Sequence, residues 1–426
     1  MKNMKVLVSV LLAMVMLLSA AAFAEYSVDT LEVKIWDNNQ LAGLQEIADL
    51  WTEQSGVKVN IQVVDWNNYW TLLEAGATGG DMPDVFWMHS NNAEMYMNAG
   101  KLLDLTDYIA NSEKVNLENY YQGITDLYSK DGKNYAVAKD HDTIALLYNK
   151  AIFDEYGVEY PTDDWTWEDY KAAAEKITEA SGGEVYGGAC NTNNNQDTFY
   201  NIIYDFGGYV ISDDKKTSGW NNENTLKAFD FMATLFNNAW APQSMLAENG
   251  KDRLFLNGKI AMDTEGSWMI NQFYTDDNHD NFAWAMLPYE DVNGNGACDP
   301  DERVSIYNGL GWAASADVKD PQAAWDLIEW FSTEEMQLKQ SELGVTMAGY
   351  IGCSDAFMNA FPGMDISAFL KMEQEGRLVF RPYSKYTSRW EDQATSDLVT
   401  LWNDPDTRVD VLNRLADDMN ALLAQE

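Results

Sequence analysis

The stretch DVNGNGACDPDE, from Asp291 to Glu302, carries side-chain oxygens at the spacing of a metal-binding loop. Carboxylates and carboxamides recur at every second position, a glycine follows, and a glutamate closes the twelve residues, as in the calcium loop of an EF-hand. The ligands expected from this pattern are Asp291, Asn293, Asn295, the backbone carbonyl of Ala297, Asp299 and a bidentate Glu302. The pattern predicts one structural calcium ion, and the alternative is an acidic surface turn that matches by chance.

The segments that flank this loop, AWAMLPYE and RVSIYNG, have the alternation of strands and not of helices. A calcium sensor places its loop between paired helices. We therefore expect the ion to clamp the structure and not to act as a switch.

Motifs for catalysis are absent from the sequence. There is no nucleophile elbow, phosphate-binding glycine loop or HExxH motif, and the three histidines lie far apart along the chain. Aromatic residues, in contrast, make up 13% of the chain, with 16 Trp and 22 Tyr. Their faces can stack on sugar rings beside hydrogen-bonding carboxylates and amides, although most are expected in the core.

The amino terminus has the features of a secretory signal peptide. Lys2 and Lys5 precede an apolar run, and SAAAFA supplies small residues before Glu25. We predict that residues 1–24 are removed and that the protein is exported, either periplasmic or secreted. The first cysteine is Cys190, so no lipid anchor is expected at the cleavage site.

The charge and length narrow the class of protein further. The chain has 68 acidic and 28 basic residues and a net charge of −40, which makes nucleic acid and anionic membranes poor partners. Its 426 residues exceed one usual hydrophobic core, so two domains are expected. Three cysteines are too few for a disulfide framework, and one at least stays unpaired in a monomer.

The elements that must position the candidate side chains begin with a strand–helix–strand–helix–strand order. LEVKIW and VKVNIQVV alternate as strands, VFWM is a short apolar strand, and helices of period 3.6 lie between them. This order predicts a parallel sheet, with ligands beyond the carboxyl ends of its strands. Farther along, Thr166 and Asp169 form the capping box of a strong helix.

Several segments, in order, resemble the extracellular solute-binding proteins of sugar-type ABC importers, related to maltose-binding protein. They are GDMPDVFWMHSNNAEMYMNAGKLLDLTDYI, GKNYAVAKDHDTIALLYNKAIFDEYGV, DWTWEDYKAAAEKIT, LFLNGKIAMDTEGSWMI and GLGWAASADVKDPQAAWDLIEWFS. No one segment is decisive, but the ordered set covers most of the chain after the signal peptide.

The resemblance implies an α/β, two-lobed periplasmic-binding-protein fold, with a cleft between lobes that are joined by crossover strands. Residues 25–142 and 304–355 would form lobe 1, and residues 143–303 and 356–426 lobe 2. The calcium-type loop, residues 291–302, would then lie at the second crossover. A membrane permease of an ABC transporter would be the partner, and the protein is expected to be a monomer.

Residue by residue, the resemblance assigns to the cleft the side chains after the early strands, the aspartate of the first crossover, two later tryptophans and an arginine of the last segment. The ring of Trp268 would stack on the sugar, Trp312 would face the cleft, and Asp142 would accept a hydroxyl. A place in the buried wall of a domain is the competing interpretation for five of them: Trp66, Trp268, His89, Asn91 and Arg381. The full set is Asp37, Asn38, Trp66, His89, Asn91, Asp142, Trp268, Trp312 and Arg381.

The function expected from the sequence is capture of a neutral oligosaccharide without catalysis. So few Lys and Arg make a basic pocket for acidic uronates unfavourable. A secreted carbohydrate-active enzyme and a binder of a non-sugar solute such as a polyamine remain as alternatives.

Overall fold

The computed structural model describes residues 26–190, 194–299 and 301–426. The predicted signal peptide, residues 1–24, lies outside the described residues. In the described ranges the strands are β1 (Thr30–Ile35), β2 (Lys58–Val63), β3 (Val85–Met88), β4 (Ser129–Lys130), β5 (Lys133–Asn134), β6 (Ala136–Ala138), β7 (Ile144–Asn149), β8 (Met262–Gly266), β9 (Phe282–Ala285), β10 (Val304–Tyr307), β11 (Gly311–Ala314) and β12 (Arg377–Phe380).

Helices surround these strands along the whole described chain. They are α1 (Leu41–Ser55), α2 (Trp66–Gly79), α3 (Ser90–Asn98), α4 (Thr106–Asn111), α5 (Gln122–Leu127), α6 (Lys150–Tyr156), α7 (Trp167–Ala180), α8 (Phe199–Asp205), α9 (Glu223–Asn238), α10 (Gln243–Asn249), α11 (Lys251–Leu256), α12 (Ile270–Tyr274), α13 (Pro321–Ser332), α14 (Glu334–Glu342), α15 (Ser354–Met358), α16 (Ser367–Glu375), α17 (Thr387–Asn403) and α18 (Arg408–Leu423).

The first lobe is built on a five-stranded sheet in the order β2-β1-β3-β11-β6. Strand β1 runs parallel to β2 and β3, so the predicted parallel unit is confirmed. Strand β11 is antiparallel to β3 and β6. The alternating residues Leu31, Val33 and Ile35 point into the core with no exposed surface, as their period of two requires.

The second lobe is built on the antiparallel sheet β8-β7-β9 and on the parallel pair β10-β12. Helix α7 begins with the predicted capping box: the Thr166 side chain accepts from the Asp169 N–H, and the Asp169 carboxylate accepts from the Thr166 N–H. The indole N–H of Trp167 donates to the buried Asp205 at 2.8 Å. The strands β9 and β10 confirm the prediction that strands flank the acidic loop.

Three chain segments pass side by side between the lobes and form the crossovers. The first joins β6 to β7, the second joins β10 to β11, and the third follows α14. The Lys139 N–H donates to Leu310 O at 2.8 Å and the Asp142 N–H to Asn308 O at 2.9 Å. The His141 N–H donates to Met347 O at 3.2 Å, which adds the third segment.

The second crossover lies later in the chain than the sequence indicated. Val304 and Ile306 pack in the hydrophobic core of the second lobe, because β10 pairs with β12, whereas Trp312 packs in the core of the first. The chain therefore passes between the cores at residues 308–310 and not at 304. The acidic loop precedes β10 and lies on the second lobe, so its predicted place at the crossover is corrected.

Two further features of the described residues bear on the class of protein. No helix there combines the length and the apolar character that crossing a bilayer requires. Cys190, Cys298 and Cys353 form no disulfide with one another.

Candidate functional site: a cavity between the lobes

A cavity of about 370 Å³ lies between the lobes, beside the three crossover segments. Its volume falls within the usual range for small-ligand sites, roughly 300 to 1,000 Å³. Both lobes contribute aromatic rings and hydrogen-bonding side chains. The lining residues are Trp36, Asp37, Asn39, Gln40, Trp66, His89, Asp140, His141, Asp142, Asn194, Gln196, Ser267, Trp268, Met269, Gln272, Leu310, Thr346 and Arg381.

The first lobe supplies an aromatic corner made where its strands end. Trp36 directly follows β1, and Trp66 is the first residue of α2, whose N-cap Asp65 fixes the start of the helix. The two rings meet edge to face, with centroids 5.1 Å apart at 86°. His89, the N-cap of α3, meets Trp66 edge to face at 5.3 Å. Apolar ring surface is thereby held in fixed orientation beside polar groups.

The second lobe presents Trp268 in a short 3-10 turn that follows β8. The ring lies directly over Gly266, where a Cβ atom would stand only 2.0 Å from it. Glycine is thus required for this close approach, since any side chain there would displace the indole. The cavity therefore has tryptophan surface from both lobes.

Asp37 places a carboxylate beside the aromatic corner. It accepts from the Asn39 N–H at 2.8 Å and from the Gln40 side-chain amide at 3.0 Å. Burial raises the pKa of Asp37 above its ordinary value, and these two hydrogen bonds oppose the shift. The carboxyl group is held in place and retains acceptor capacity for a ligand hydroxyl.

Asp140 joins all three crossover segments at the floor of the cavity. Its carboxylate accepts from the Leu310 N–H at 2.7 Å, from the Thr346 hydroxyl at 3.3 Å and from the ammonium of Lys139 at 2.6 Å. Lys139 is fully buried, 4.5 Å from the centre of the Trp87 ring, and also donates to the side chain of Gln40. The lining residue Gln40 is thereby hydrogen-bonded to the first crossover segment.

Asp142 connects the first crossover to the second lobe. Its Oδ1 accepts from the Gln196 side-chain amide at 2.6 Å and from the Asn308 N–H at 3.2 Å. Burial raises the pKa of Asp142 well above the ordinary value of an aspartate, and the neighbouring Asp140 adds to the shift. The site therefore disfavours the ionised form of Asp142 more than water does.

Arg381 closes another part of the cavity wall and is already paired. Its Nη2 donates to Glu391 at 3.0 Å and to the side chain of Asn195 at 2.7 Å.

Burial holds the pKa of His89 well below its ordinary value, and the positive charge of Arg381 acts in the same direction. His89 Nδ1 accepts from the Asn91 N–H at 3.2 Å, and His89 Nε2 lies 3.0 Å from Asn308 Nδ2.

Most of the residues assigned from the sequence meet in this cavity. Those that line it are Asp37, Trp66, His89, Asp142, Trp268 and Arg381. Asn38 is exposed at the side of the cavity, and its neighbour Asn39 is the lining residue. Asn91 lies behind the wall, where its Nδ2 donates to Glu391 at 2.8 Å.

Trp312 does not face the cleft, and this assignment is corrected. Its side chain is fully buried in the core of the first lobe and stacks on Phe331, with centroids 4.5 Å apart at 12°. It sits in the middle of β11, an inner strand with β3 on one side and β6 on the other. Residues that line the cavity from this segment, such as Leu310, precede the strand.

Several lining residues were missed by the sequence analysis. Trp36 and Asp140 had a local signal, because each adjoins or nearly adjoins an assigned aspartate. Gln196 follows a run of asparagines, which marks a polar loop but not its position. Thr346 and Gln272 carry no local signal, since only the path of the chain brings them to the cavity.

The acidic loop folds so that its predicted ligand side chains meet. The Asp291 carboxylate accepts from the N–H groups of Asn295 at 3.0 Å and Gly296 at 2.8 Å. The Asn293 Nδ2 donates to Asp299 Oδ2 at 2.6 Å and to Glu302 Oε1 at 3.0 Å. Gly296 has φ +76°, a conformation that favours glycine. Carboxylate and amide oxygens are ligands that calcium prefers, so the residue types of the loop suit the ion.

Across the described parts of the chain, no group of three or more His, Cys, Asp and Glu side chains is arranged to hold a metal ion. The loop relies on asparagines for two of its six predicted ligands and on a backbone carbonyl for a third. Calcium binding at residues 291–302 stays a prediction.

Comparison with known proteins agrees with this geometry. An ABC substrate-binding protein from Listeria monocytogenes, solved in complex with cycloalternan, superimposes with a TM-score of 0.82 at 24% identity, over 93% of this chain and 100% of that one. This likeness confirms the two-lobed α/β fold. The maltotriose-binding protein of Pyrococcus abyssi (strain GE5 / Orsay) is 27% identical over 339 residues, 77% of this chain and 68% of the relative.

A second relative, the arabinooligosaccharide-binding protein of Bacillus subtilis (strain 168), is 25% identical over 248 residues, 56% of this chain and 55% of that protein. The family model described as bacterial extracellular solute-binding protein matches residues 36–338. The resemblance found in the sequence is thereby confirmed: the chain belongs to the bacterial extracellular solute-binding protein family.

Proposed function

We propose that the protein captures a neutral oligosaccharide between its lobes and delivers it to the membrane permease of an ABC transporter. The observation that carries the proposal is the cavity, in which Trp36, Trp66 and Trp268 provide ring surface from both lobes beside hydrogen-bonding groups. The relatives named for maltotriose and arabinooligosaccharide binding support the same class of ligand. So does the Listeria protein, whose complex contains cycloalternan.

The charges of the cavity favour a neutral ligand. Burial raises the pKa of Asp37 and Asp142, which reduces the negative charge that a polyamine would need. The cations Arg381 and Lys139 are paired with Glu391 and Asp140, which offsets the positive charge that a uronate would need. Sugar hydroxyls, which both donate and accept hydrogen bonds, match such a wall best.

A binding panel tests this proposal. We expect titration calorimetry to detect maltotriose, an arabinooligosaccharide or another neutral oligosaccharide at micromolar or lower Kd, with no heat from uronate oligomers or spermidine. Binding of spermidine alone, or of none of the neutral oligosaccharides, would contradict it.

The protein catalyses nothing in this proposal. Its relatives carry the names of binding proteins, and the carboxylates at the cavity floor are engaged in hydrogen bonds with the crossover segments. Prolonged incubation with the bound oligosaccharide should release no new reducing ends. Turnover that disappears with Asp142→Asn would instead support the carbohydrate-active enzyme.

Export fits the extracellular family to which the chain belongs. Cleavage before Glu25, the lack of a lipid anchor, a monomeric state and the absence of nucleic-acid binding form part of the proposal. Mass spectrometry of the protein recovered from a host that secretes it tests the cleavage site, and light scattering tests the monomer.

We also propose one structural calcium ion in the loop 291–302, where it would order the segment between β9 and β10. The support is the convergence of Asn293, Asp299 and Glu302, with Glu302 almost fully buried. When bound, calcium would neutralise the charge of the carboxylates and accept oxygen ligands in a flexible arrangement. At 100 times its Kd, the ion would stabilise the folded chain by roughly 2.7 kcal/mol.

Chelation is the test of the ion. We expect removal of calcium to lower the melting temperature by several degrees and its return to restore it. Glu302→Gln should suppress both effects, whereas Asp301→Asn, an acidic position outside the ligand pattern, should keep them. A melting curve unmoved by exhaustive chelation, with no calcium found by elemental analysis, would exclude the site.

A further inference from the structure

Lys251 lies at the centre of a closed ionic cluster in the second lobe. Its ammonium is 2.9 Å from Asp263, 3.3 Å from Asp197 and 3.3 Å from Glu265, and it donates to Thr264 O at 2.7 Å. The side chains of these four charged residues are each at most 4% exposed. A cluster so deeply buried is unlike a surface ion pair, because its members cannot exchange their partners for water.

The cluster joins two chain segments that are far apart in sequence and that both supply walls of the cavity. Asp197 follows Gln196, whose side chain lines the cavity and donates to Asp142. Glu265 lies near the end of β8, and Ser267 and Trp268, which follow that strand, line the cavity. Lys251 itself does not line it. The Lys251 ammonium therefore connects two chain segments, each of which carries residues that line the cavity.

The charges of the cluster are unbalanced, with three carboxylates around one ammonium. Burial raises the pKa of Asp197 to about 8, although Lys251 opposes the shift, and raises the pKa of Asp263 well above its ordinary value. Burial would lower the pKa of Lys251, but the three carboxylates outweigh it and raise that pKa. The three carboxylates thus favour the charged form of Lys251, while burial disfavours the charged forms of the carboxylates.

We propose that Lys251 is a positioning residue for ligand binding: by holding Asp197 and Glu265 together, it sets the positions of Gln196 and Trp268 in the cavity. It acts through these neighbours and does not touch the ligand. The inference rests on the proposed function in one respect: the ligand is an oligosaccharide that stacks on Trp268, and its affinity is the quantity measured.

A purely structural role makes a different prediction. If the cluster only stabilised the second lobe, variants would lower the melting temperature and leave the affinity of the folded protein unchanged. Asp205 provides the matched control. It is a buried aspartate of the same lobe that accepts from Trp167 and from the Val304 N–H, and it does not line the cavity.

The test compares Lys251→Met, Asp197→Ala and Asp205→Ala. Affinity is measured by calorimetry with maltotriose, or with whichever neutral oligosaccharide the panel identifies, below the melting temperature of each variant. We expect Lys251→Met to weaken binding at least 10-fold and Asp197→Ala about 5-fold. Asp205→Ala should lower the melting temperature yet keep Kd within twofold. Should Lys251→Met fail to fold, Asp197→Ala decides, because it leaves the ammonium with two carboxylates.

Hydrogen exchange on the sugar-free protein gives a readout that needs no ligand. Lys251→Met should speed exchange in peptides covering both 194–198 and 266–269, and Asp197→Ala only in 194–198. Unchanged exchange in both segments, or an unchanged Kd in Asp197→Ala where the parent binds, would overturn the inference. If the parent binds no sugar, the proposed function fails and the exchange result alone decides the positioning role.

Discussion

Trp268 offers an indole face to the cavity from the second lobe, with Gly266 directly behind the ring. Removing the ring takes away both a stacking surface and the apolar area that the sugar would desolvate. We expect Trp268→Ala to weaken oligosaccharide binding by roughly 2 kcal/mol or more, with a small loss of stability because the ring is partly exposed. Calorimetry together with thermal melting separates the two effects. Parental affinity in this variant would mean that the stacking surface lies elsewhere.

Trp312 is the matched control, an indole of the first lobe with no exposed surface. It contacts Phe331 and Trp87, so truncation leaves a cavity in the core. Trp312→Ala should cost roughly 3 to 5 kcal/mol of folding free energy. The affinity of the molecules that remain folded should not change.

These two tryptophans show how far residue types could be assigned from sequence. Asp37, Trp66 and His89 line the cavity because each follows a strand, and the carboxyl ends of parallel strands share one edge of a sheet. Trp312 was misassigned because the Gly-rich stretch GLGW places its last residue inside β11, buried with the rest of that strand. The local sequence predicts that this segment is a strand, but it does not predict which of its side chains lie in the core and which line the cavity.

At the scale of elements, the hydrogen bond between Asn271 and Asn39 is one of the contacts that join the two lobes. The Nδ2 of Asn271, in α12 of the second lobe, donates to Asn39 O of the first lobe at 3.2 Å. A hydrogen bond of this kind contributes about 0.5–1.5 kcal/mol. Asn271→Ala should therefore raise Kd about 2- to 10-fold, chiefly by faster dissociation, because the closed form is less favoured.

Stopped-flow fluorescence measures that dissociation rate. Asn249→Ala is the control, since Asn249 is an exposed asparagine of the same lobe that bonds only within its own helix. An equal change in both variants would show that the contact between the lobes has no special effect.

Elements with a strong period were predicted well, and the links between lobes less well. The helix expected between VKVNIQVV and VFWM is Trp66–Gly79, and the strand VFWM is β3 as expected. The crossover was placed too early because RVSIYNG identifies β10 as a strand without revealing its partner. Pairing with β12, more than 70 residues later in the chain, is what puts β10 in the second lobe.

For the whole molecule, the three crossover segments predict a hinge motion. They hold the lobes together through backbone hydrogen bonds such as Lys139 N–H to Leu310 O, and the lobes also meet at the Asn271–Asn39 bond described above. We expect small-angle scattering to give a smaller radius of gyration with saturating oligosaccharide than without it. The same profile in both states would indicate lobes that do not move on binding.

Stability should also depend on pH in a definite direction, because buried acids have raised pKa values. Burial raises the pKa of Asp197 to about 8 and those of Asp205 and Asp142 well above the ordinary value near 4. Between about pH 4 and about pH 8 the folded chain binds more protons than the unfolded chain. The free energy of unfolding therefore falls as pH rises through this range. Exposed acids with lowered pKa, such as Asp65, lose their contribution only below about pH 4.

We therefore expect the melting temperature to fall from about pH 5 to about pH 8, at fixed salt and calcium. Each raised carboxyl contributes up to about 1.4 kcal/mol per pH unit while only the folded form holds the proton. Asp205→Asn removes one such group, so unfolding by denaturant at several pH values should show a shallower slope in this variant. A slope equal to that of the parent would mean that Asp205 is ionised in the folded protein. A melting temperature that rises toward pH 8 would show that ionised, paired carboxylates govern the stability of the molecule instead.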